Sequence, residues 1–310
     1  MNNNLANIKK SIFFLNKNEC VAIPTETVYG LAANAYSSKS VKKIYALKKR
    51  PRNNPSIVHY SSLNQLKKDC EINKNFLILF KKFCPGPITF VLKLRKKSHI
   101  SRIVTNNKST VAVRFPKNKL TQKLLKLLKY PLAAPSANIS TKISPVSKED
   151  VKEEFGNKIK FILDGGRSKV GLESTIISLV HRPKILRLGG IERTKINKVL
   201  NKKIKYDKTN KKISVPGQSK LHYSPGIPIK LNITKPKPNE AFILIKKRKK
   251  SYKNYYYLTK NKNLKQAAKN LYRILRVIKK KNYERIVVEK IPNNGFGETI
   301  NDRLKRASTK

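Results

Sequence analysis

Apolar positions along the chain follow two periods. A spacing near 3.6 predicts helices over residues 5–16, over Ser40–Lys49 through Val41, Ile44, Tyr45 and Leu47, and over Phe76–Phe83 and Leu120–Leu128. The helix at 76–83 is stopped by Cys84-Pro85-Gly86-Pro87, breakers that no helix crosses. Short apolar runs or strict alternation predict strands at Val21–Ile23, Ser56–His59, Ile88–Leu94, Thr110–Phe115, Leu132–Ala134, Phe161–Leu163, Ser174–Val180 and Ile185–Leu188. Strands and helices mixed in this way specify an α/β or α+β fold and exclude a helical bundle or a β-sandwich.

The pattern changes after about residue 200. Lys202–Lys212 is polar and charged and reads as a linker, and Val215–Pro228 is punctuated by Pro and Gly without a period. Strands are then predicted at Ala241–Ile245, Tyr255–Leu258 and Ile286–Val288, with a helix over Leu264–Ile278. The expected organisation is a catalytic-sized domain over 1–200, a linker over 201–228, and a small α/β domain over 229–310. At about 80 residues that last domain is near the size where one core is marginal.

Charge is the most conspicuous compositional feature. The 310 residues carry 71 Lys+Arg against 17 Asp+Glu, a net +54, in a chain that is 39% hydrophobic and therefore too apolar for a disordered polycation. A nucleic-acid partner is the first reading, since such surfaces release counterions from phosphate backbones. Yet the excess is spread over both halves with abundant Asn, and only Lys246–Lys253 with Tyr255-Tyr256-Tyr257 interleaves cations and aromatics. A compositional origin of the charge is therefore favoured. No apolar run approaches the roughly 20 residues of a membrane span, and the N-terminus lacks a signal peptide's pattern. Cys20, Cys70 and Cys84 form no disulfide framework, and the four histidines form no zinc motif, so a reduced cytoplasm is the expected location and no metal ligands are assigned.

Polar constellations sit at the ends of predicted strands, where open α/β sheets place ligands. Pro24-Thr25-Glu26-Thr27 offers hydroxyls and a carboxylate, or alternatively caps the next element. Lys48-Lys49-Arg50-Pro51-Arg52-Asn53-Asn54-Pro55 holds cations on a proline-stiffened segment, suited to phosphate or equally to a helix C-terminus. Ala133-Ala134-Pro135-Ser136-Ala137-Asn138 admits a close backbone approach, or forms a local turn. Arg114, Asp164-Gly165-Gly166, Gly171–Thr175 and Arg187 complete the set. Walker A, Rossmann and nucleophile-elbow signatures are absent.

Taken in order, these segments resemble the YrdC-like family, and within it the long two-domain form of threonylcarbamoyl-AMP synthase. The resemblance rests on IPTETVYGLAANA (23–35), KKRPRNNPSIVH (48–59), CPGPITFVL (84–92), TVAVRFP (110–116), PLAAPSANIS (131–140), ILDGG (162–166), GLESTII (171–177) and ILRLGG (185–190). VPGQSKLHYSPGIPI (215–229) and GFGETINDRLKRAS (295–308) are similar to that form's linker and C-terminal end. The resemblance implies a YrdC-like twisted, mixed α/β sheet with flanking helices, a positively charged cleft and a small C-terminal α/β domain. The implied reaction joins L-threonine, bicarbonate or CO2 and ATP into threonylcarbamoyl-AMP and pyrophosphate. Other proteins, the threonylcarbamoyl transferases, would then modify adenosine 37 of tRNA. Direct binding of tRNA by this chain is left open.

Carried over residue by residue, the resemblance implies that Thr27, His59, Arg114 and Ser174 contact threonine, with Thr25 able to exchange roles with Thr27. Lys48 and Arg50 would be the catalytic K-x-R element. Arg50, Asn54, Thr110, Ser136, Asn138, Ser144 and Arg187 would hold ATP, and Tyr223 would close over the nucleotide. Mg2+ is implied as the partner of ATP, liganded mainly by phosphate and water. Two other readings remain: an RNA-binding or ribosome-associated protein using the same basic cleft, and a family member without synthase activity.

Overall fold

The computed structural model of the chain describes residues 2–207, 215–217 and 221–309. Residues 208–212 of the polar run and Gln218-Ser219-Lys220 of the linker motif lie outside the described residues. The chain begins with α1 (Asn2–Asn16), β1 (Val21–Ile23), β2 (Gly30–Asn34), α2 (Ser38–Lys48), β3 (Ile57–His59), α3 (Leu63–Asp69) and α4 (Lys74–Phe83). It continues with β4 (Ile88–Lys93), α5 (Arg102–Thr105), β5 (Thr110–Arg114), α6 (Lys119–Leu127), β6 (Leu132–Ala133), α7 (Lys148–Phe155) and β7 (Phe161–Ile162). Next come β8 (Thr175–Ser178), β9 (Lys184–Arg187), α8 (Arg193–Leu200) and β10 (Lys205–Tyr206). These strands make one mixed ten-stranded sheet in the order β10-β9-β8-β4-β5-β3-β6-β2-β1-β7.

Strand alternation sorts the side chains onto two faces. Val58, Phe90, Leu92, Val111, Val113 and Ile177 point to one face, into a core closed by helices that include α2 and α4. On the other face, α1 and α6 cover only the β1, β2 and β6 end through Ile8, Leu15, Leu124 and Leu125. The rest of that face has an apolar floor of Ile57, Val91, Ala112 and Ile176, capped by Val215 of the linker. His59 and Arg114 stand two residues beyond Ile57 and Ala112 on the same face, and they are register partners across β3 and β5. A half-covered sheet face with polar residues at its rim is where the site forms.

After the linker, β11 (Ile229–Leu231), β12 (Glu240–Lys246), β13 (Tyr255–Thr259), α9 (Leu264–Lys279), β14 (Arg285–Val288) and α10 (Phe296–Ala307) build a second, all-parallel sheet in the order β11-β14-β12-β13. Its core is not closed by its own residues alone. Leu271, Tyr272, Leu275 and Ile300 of α9 and α10 pack in one cluster with Val28, Ile143, Val146 and Leu172 of the first domain. That shared core offsets the small size that made the domain look marginal. Gly171 permits the contact, because its φ is +75° and a Cβ there would meet the Lys269 carbonyl oxygen of α9 at 2.4 Å. Arg276 of α9, buried, adds a polar clasp by donating to the Ile143 carbonyl at 2.7 Å and pairing with Glu154 at 3.3 Å. No helix among the described residues is long and apolar enough to cross a membrane.

Candidate active site

The cleft is lined by Thr25, Arg50, His59, Arg114, Ser136, Ser174, Arg187 and the linker residues Pro216, Gly217, His222 and Tyr223. They are delivered by chain ends: His59, Arg114 and Arg187 close β3, β5 and β9, and Ser174 immediately precedes β8. The free volume of the cleft is about 30 Å³, far below that of a typical small-molecule pocket. Tyr223 is fully buried with φ +64°, which is uncommon for a residue with a Cβ.

Each cleft cation is fixed by specific partners. Arg114 Nη2 donates to Glu26 Oε1 at 2.7 Å, and the second oxygen of Glu26 accepts from the Lys117 amide at 2.8 Å. Arg50 donates to the Asn54 and Pro55 carbonyls and, at 2.7 Å, to Asn54 Oδ1, so the Asn-Asn-Pro segment holds its own arginine. Arg187 donates to the Ser174 carbonyl and hydroxyl and to the Pro216 carbonyl, coupling β9 to the linker. Burial lowers the pKa of Arg50 and Arg187 from the ordinary arginine value.

Glu173 is the second carboxylate of the site. Burial would raise its pKa, but Arg303 and then Arg187 reverse this and bring it down to about 2, so it is a carboxylate. It accepts from Ser144 Oγ at 2.6 Å, from Tyr272 OH at 2.9 Å and from Arg303 Nε at 3.0 Å. His59 and His222 are both neutral: burial, aided at His59 by Arg114, pushes each pKa down to about 3.

Among the described residues, His59 Nδ1, Arg114 Nε, His222 Nδ1 and Tyr223 OH, all on residues lining the cleft, are buried without a hydrogen-bond partner, as is Asn138 Oδ1 in the adjoining loop. Native interiors satisfy nearly all such groups, and unpaired ones gathered in one place mark where a polar ligand belongs.

The residues expected from the sequence are placed unequally. Arg50, His59, Arg114, Ser136, Ser174, Arg187 and Tyr223 line the cleft. Thr27 does not; Thr25 does, with the two hydroxyls 2.7 Å apart. Lys48 of the expected K-x-R element is not among the lining residues. Its Nζ is turned onto the carbonyls of Ser136 (2.6 Å) and Asn138, and burial, then Arg50, push its pKa well below the ordinary lysine value. It shapes the 136–138 loop and does not line the cleft. Asn54 serves Arg50, Ser144 serves Glu173, and the Asn138 amide donates to the Ile139 and Lys142 carbonyls. Thr110 shares the face of Arg114 but begins β5, roughly 13 Å along the strand and outside the lining. The capping alternative for Thr25–Thr27 does not hold, because the next element is the strand β2.

Sequence reading singled out the segments of Glu26 and Glu173 without their arginine partners, and missed His222, Tyr272 and Arg303 as parts of this network. A buried arginine requires an acidic or carbonyl partner, so the two carboxylates inside TETVYG and GLEST were the available signal. Among the described residues no group of three or more His, Cys, Asp and Glu side chains could hold a metal ion. A larger cavity of about 430 Å³ lies elsewhere, between Arg193, Tyr206 and α10, where Arg193 pairs with Glu298 and the Tyr206 hydroxyl donates to Asp302. Lys246–Lys253 and Tyr255–Tyr257 lie at the β12–β13 edge of the second sheet and do not enter the cleft.

A ten-stranded mixed sheet with a rim of arginines under a folded-back linker defines an α/β protein of the YrdC class. The family described as telomere recombination matches residues 14–189, and that described as threonylcarbamoyl-AMP synthase, C-terminal domain, matches residues 191–309. Threonylcarbamoyl-AMP synthase of Pyrococcus abyssi is 36% identical over 316 residues, covering 95% of this chain and 92% of its own length. The Bacillus subtilis protein of that name is 35% identical over 324 residues, covering 97% and 92%. The crystal structure of P. abyssi Sua5 complexed with L-threonine matches with a TM-score of 0.89 at 34% identity, covering 97% of this chain and 94% of that one. The chain belongs to the threonylcarbamoyl-AMP synthase family, a family of enzymes.

Proposed function

We propose that this chain is a nucleotidyltransferase that forms threonylcarbamoyl-AMP and pyrophosphate from L-threonine, bicarbonate or CO2 and ATP, for modification of tRNA at adenosine 37. The observation that carries the reading is the convergence of unpaired buried polar atoms and three arginines at one cleft of a chain in this family. In the reaction the threonine amine adds to CO2 and loses a proton, giving a carbamate. A carbamate oxygen then attacks the α-phosphorus of ATP, and pyrophosphate leaves with the electron pair of the broken P–O bond. No protein nucleophile is needed; catalysis is orientation plus neutralisation of developing phosphate charge.

The residues divide accordingly. Arg114, one edge tied to Glu26 and Nε unpartnered, would take the threonine carboxylate, with Thr25 or Thr27, His59 and Ser174 around the rest of the molecule. Neutral His59 can accept or donate without adding charge beside Arg114. Arg50 and Arg187 would face the polyphosphate, with Ser136, Asn138, Asn54, Ser144 and Thr110 shaping or extending that side. Lys48 would act by holding the Ser136–Asn138 loop. Mg2+ would arrive on the ATP phosphates, since both carboxylates near the cleft, Glu26 and Glu173, are committed to arginines. With so little free volume, ATP entry requires Pro216–Gly217 and His222–Tyr223 to lift, and Tyr223 to close again over the nucleotide.

Pyrophosphate release tests the reading: it should require threonine, bicarbonate and MgATP together. Release that is independent of threonine would exclude it. The RNA-binding alternative has no observation in its favour at the cleft, whose arginines are buried within the protein.

A further inference from the structure

Arg303 belongs to α10 in the second domain, yet its contacts reach the walls of the first domain's cleft. Its side chain is 1% exposed. Nε donates to Glu173 Oε2 at 3.0 Å and Nη2 to the Leu188 carbonyl at 2.6 Å, while Nη1 donates to Asp302 on its own helix. The guanidinium carbon lies 4.7 Å from the centre of the Tyr223 ring. Glu173 is the residue before Ser174, and Leu188 is the residue after Arg187. One planar fork therefore touches the segments carrying three lining residues: Ser174, Arg187 and Tyr223.

Tyr223 is gripped from a second direction as well. Tyr272 of α9 stacks on it at 5.7 Å and 22°, and donates its own hydroxyl to Glu173. The neighbouring His222 amide donates to the Arg306 carbonyl of α10 at 3.2 Å. The Tyr223 hydroxyl, without a hydrogen-bond partner among the described residues, sits against Gly217 and Arg187, where a Cβ on Gly217 would meet it at 2.7 Å.

We infer that Arg303 is a positioning residue for the reaction: the second domain sets Tyr223, Ser174 and Arg187 in place through this one side chain. The inference rests on the function proposed above. Domain docking alone does not account for Arg303, because docking has its own separate means in the apolar α9–α10 interface, the Gly171 contact and the Arg276 clasp. Lysine could not replace it, since a single ammonium cannot span a carboxylate, a carbonyl and a ring face at once.

The test compares the full chain with Arg303→Met, Arg303→Lys, Tyr223→Leu and Ile300→Ala. Ile300 is a fully buried residue of the same helix that does not itself line the cleft, and its truncation loosens the shared apolar core while removing none of the polar contacts of Arg303. Threonine-dependent pyrophosphate release is measured at a temperature where circular dichroism shows every variant folded. Arg303→Met should lower kcat/KM for ATP on the order of tenfold to a hundredfold, as misplaced catalytic groups do. Ile300→Ala should stay within about twofold despite a lowered Tm, as expected where stability and site geometry are separable. Arg303→Lys should not restore the loss, and Tyr223→Leu should cost less in the Arg303→Met background than alone. Equal losses in Arg303→Met and Ile300→Ala, or independent effects of Arg303 and Tyr223, would overturn the inference. Should Arg303→Met not fold, Arg303→Lys carries the same comparison. A wild-type chain without threonine-dependent release would instead remove the proposed function itself.

Discussion

Removing the Glu26–Arg114 pair in stages separates what the pair does for the fold from what Arg114 does for the substrate. Both residues are buried, at 8% and 4% exposure, and their contact is 2.7 Å. Two unit charges about 4 Å apart at an effective dielectric near 20 attract by about 4 kcal/mol. Desolvation consumes most of that, so the intact pair contributes little net, whereas deleting one partner strands the other and costs about 3–5 kcal/mol. Arg114→Met alone leaves the Glu26 carboxylate with only the Lys117 amide. Glu26→Gln alone leaves Arg114 buried and charged with Nε still unpartnered. Each single variant should therefore lose about 3–5 kcal/mol in urea unfolding, and the double variant should return to within about 1 kcal/mol of wild type. Activity should behave differently: the double variant, though stable, should have no measurable saturation by threonine. A double variant that turns over threonine like wild type would refute the assignment of Arg114 to the substrate carboxylate.

Other expectations follow from the same geometry. Arg50→Ala and Arg187→Ala should each raise KM for ATP more than KM for threonine; equal effects on both substrates would contradict their placement on the phosphate side. His59 and His222 are buried neutral with pKa values near 3, below an unfolded value near 6.5, so the unfolded chain binds more protons between those limits and stability must fall as pH drops below about 6.5. From pH 6.5 to 5 each contributes a loss of about 2 kcal/mol, and Glu173 adds its own loss only below its unfolded value of about 4.5. Replacing both histidines by Gln should flatten the urea-derived stability between pH 7 and 5; an unchanged slope would count against their burial. Gly171→Ala places a Cβ 2.4 Å from the Lys269 carbonyl at φ +75°, and should expose the linker to limited proteolysis without unfolding the first domain's sheet. Unchanged proteolysis would show that the domains dock without that close approach.

Much of the sheet was legible because its strands are apolar and β-branched: Val21–Ile23, Ile88–Lys93, Thr110–Arg114 and Lys184–Arg187 fall where the pattern predicts them. β2 was not legible. Gly30-Leu31-Ala32-Ala33-Asn34 has small side chains and no alternation, and it becomes a strand only because β1 and β6 flank it. The helix α7 had a signal that went unread: Ser147 accepts from the Asp150 amide while Asp150 accepts from the Val146 amide, a cap written in Ser-Lys-Glu-Asp. Cleft arginines were legible at strand ends, but Lys48 was not, because nothing local reveals that its ammonium turns onto carbonyls some 90 residues away. Arg303 was illegible for the same reason, and Glu173 stood in the sequence as a carboxylate whose arginine partner lies in the other domain. The +54 charge, prominent in the sequence, plays little part in the cleft, where a few cations are each matched to an oxygen.

The most direct test of the central claim follows one carbon. Purified chain is incubated with MgATP, L-threonine and 13C-bicarbonate, and the nucleotide products are weighed by mass spectrometry immediately after mixing. The account predicts an adenylate containing threonine and a single labelled carbon, formed with an equal amount of pyrophosphate and absent when bicarbonate is withheld. A threonine adenylate without the labelled carbon, or ATP cleavage with no threonine-containing nucleotide, would contradict it.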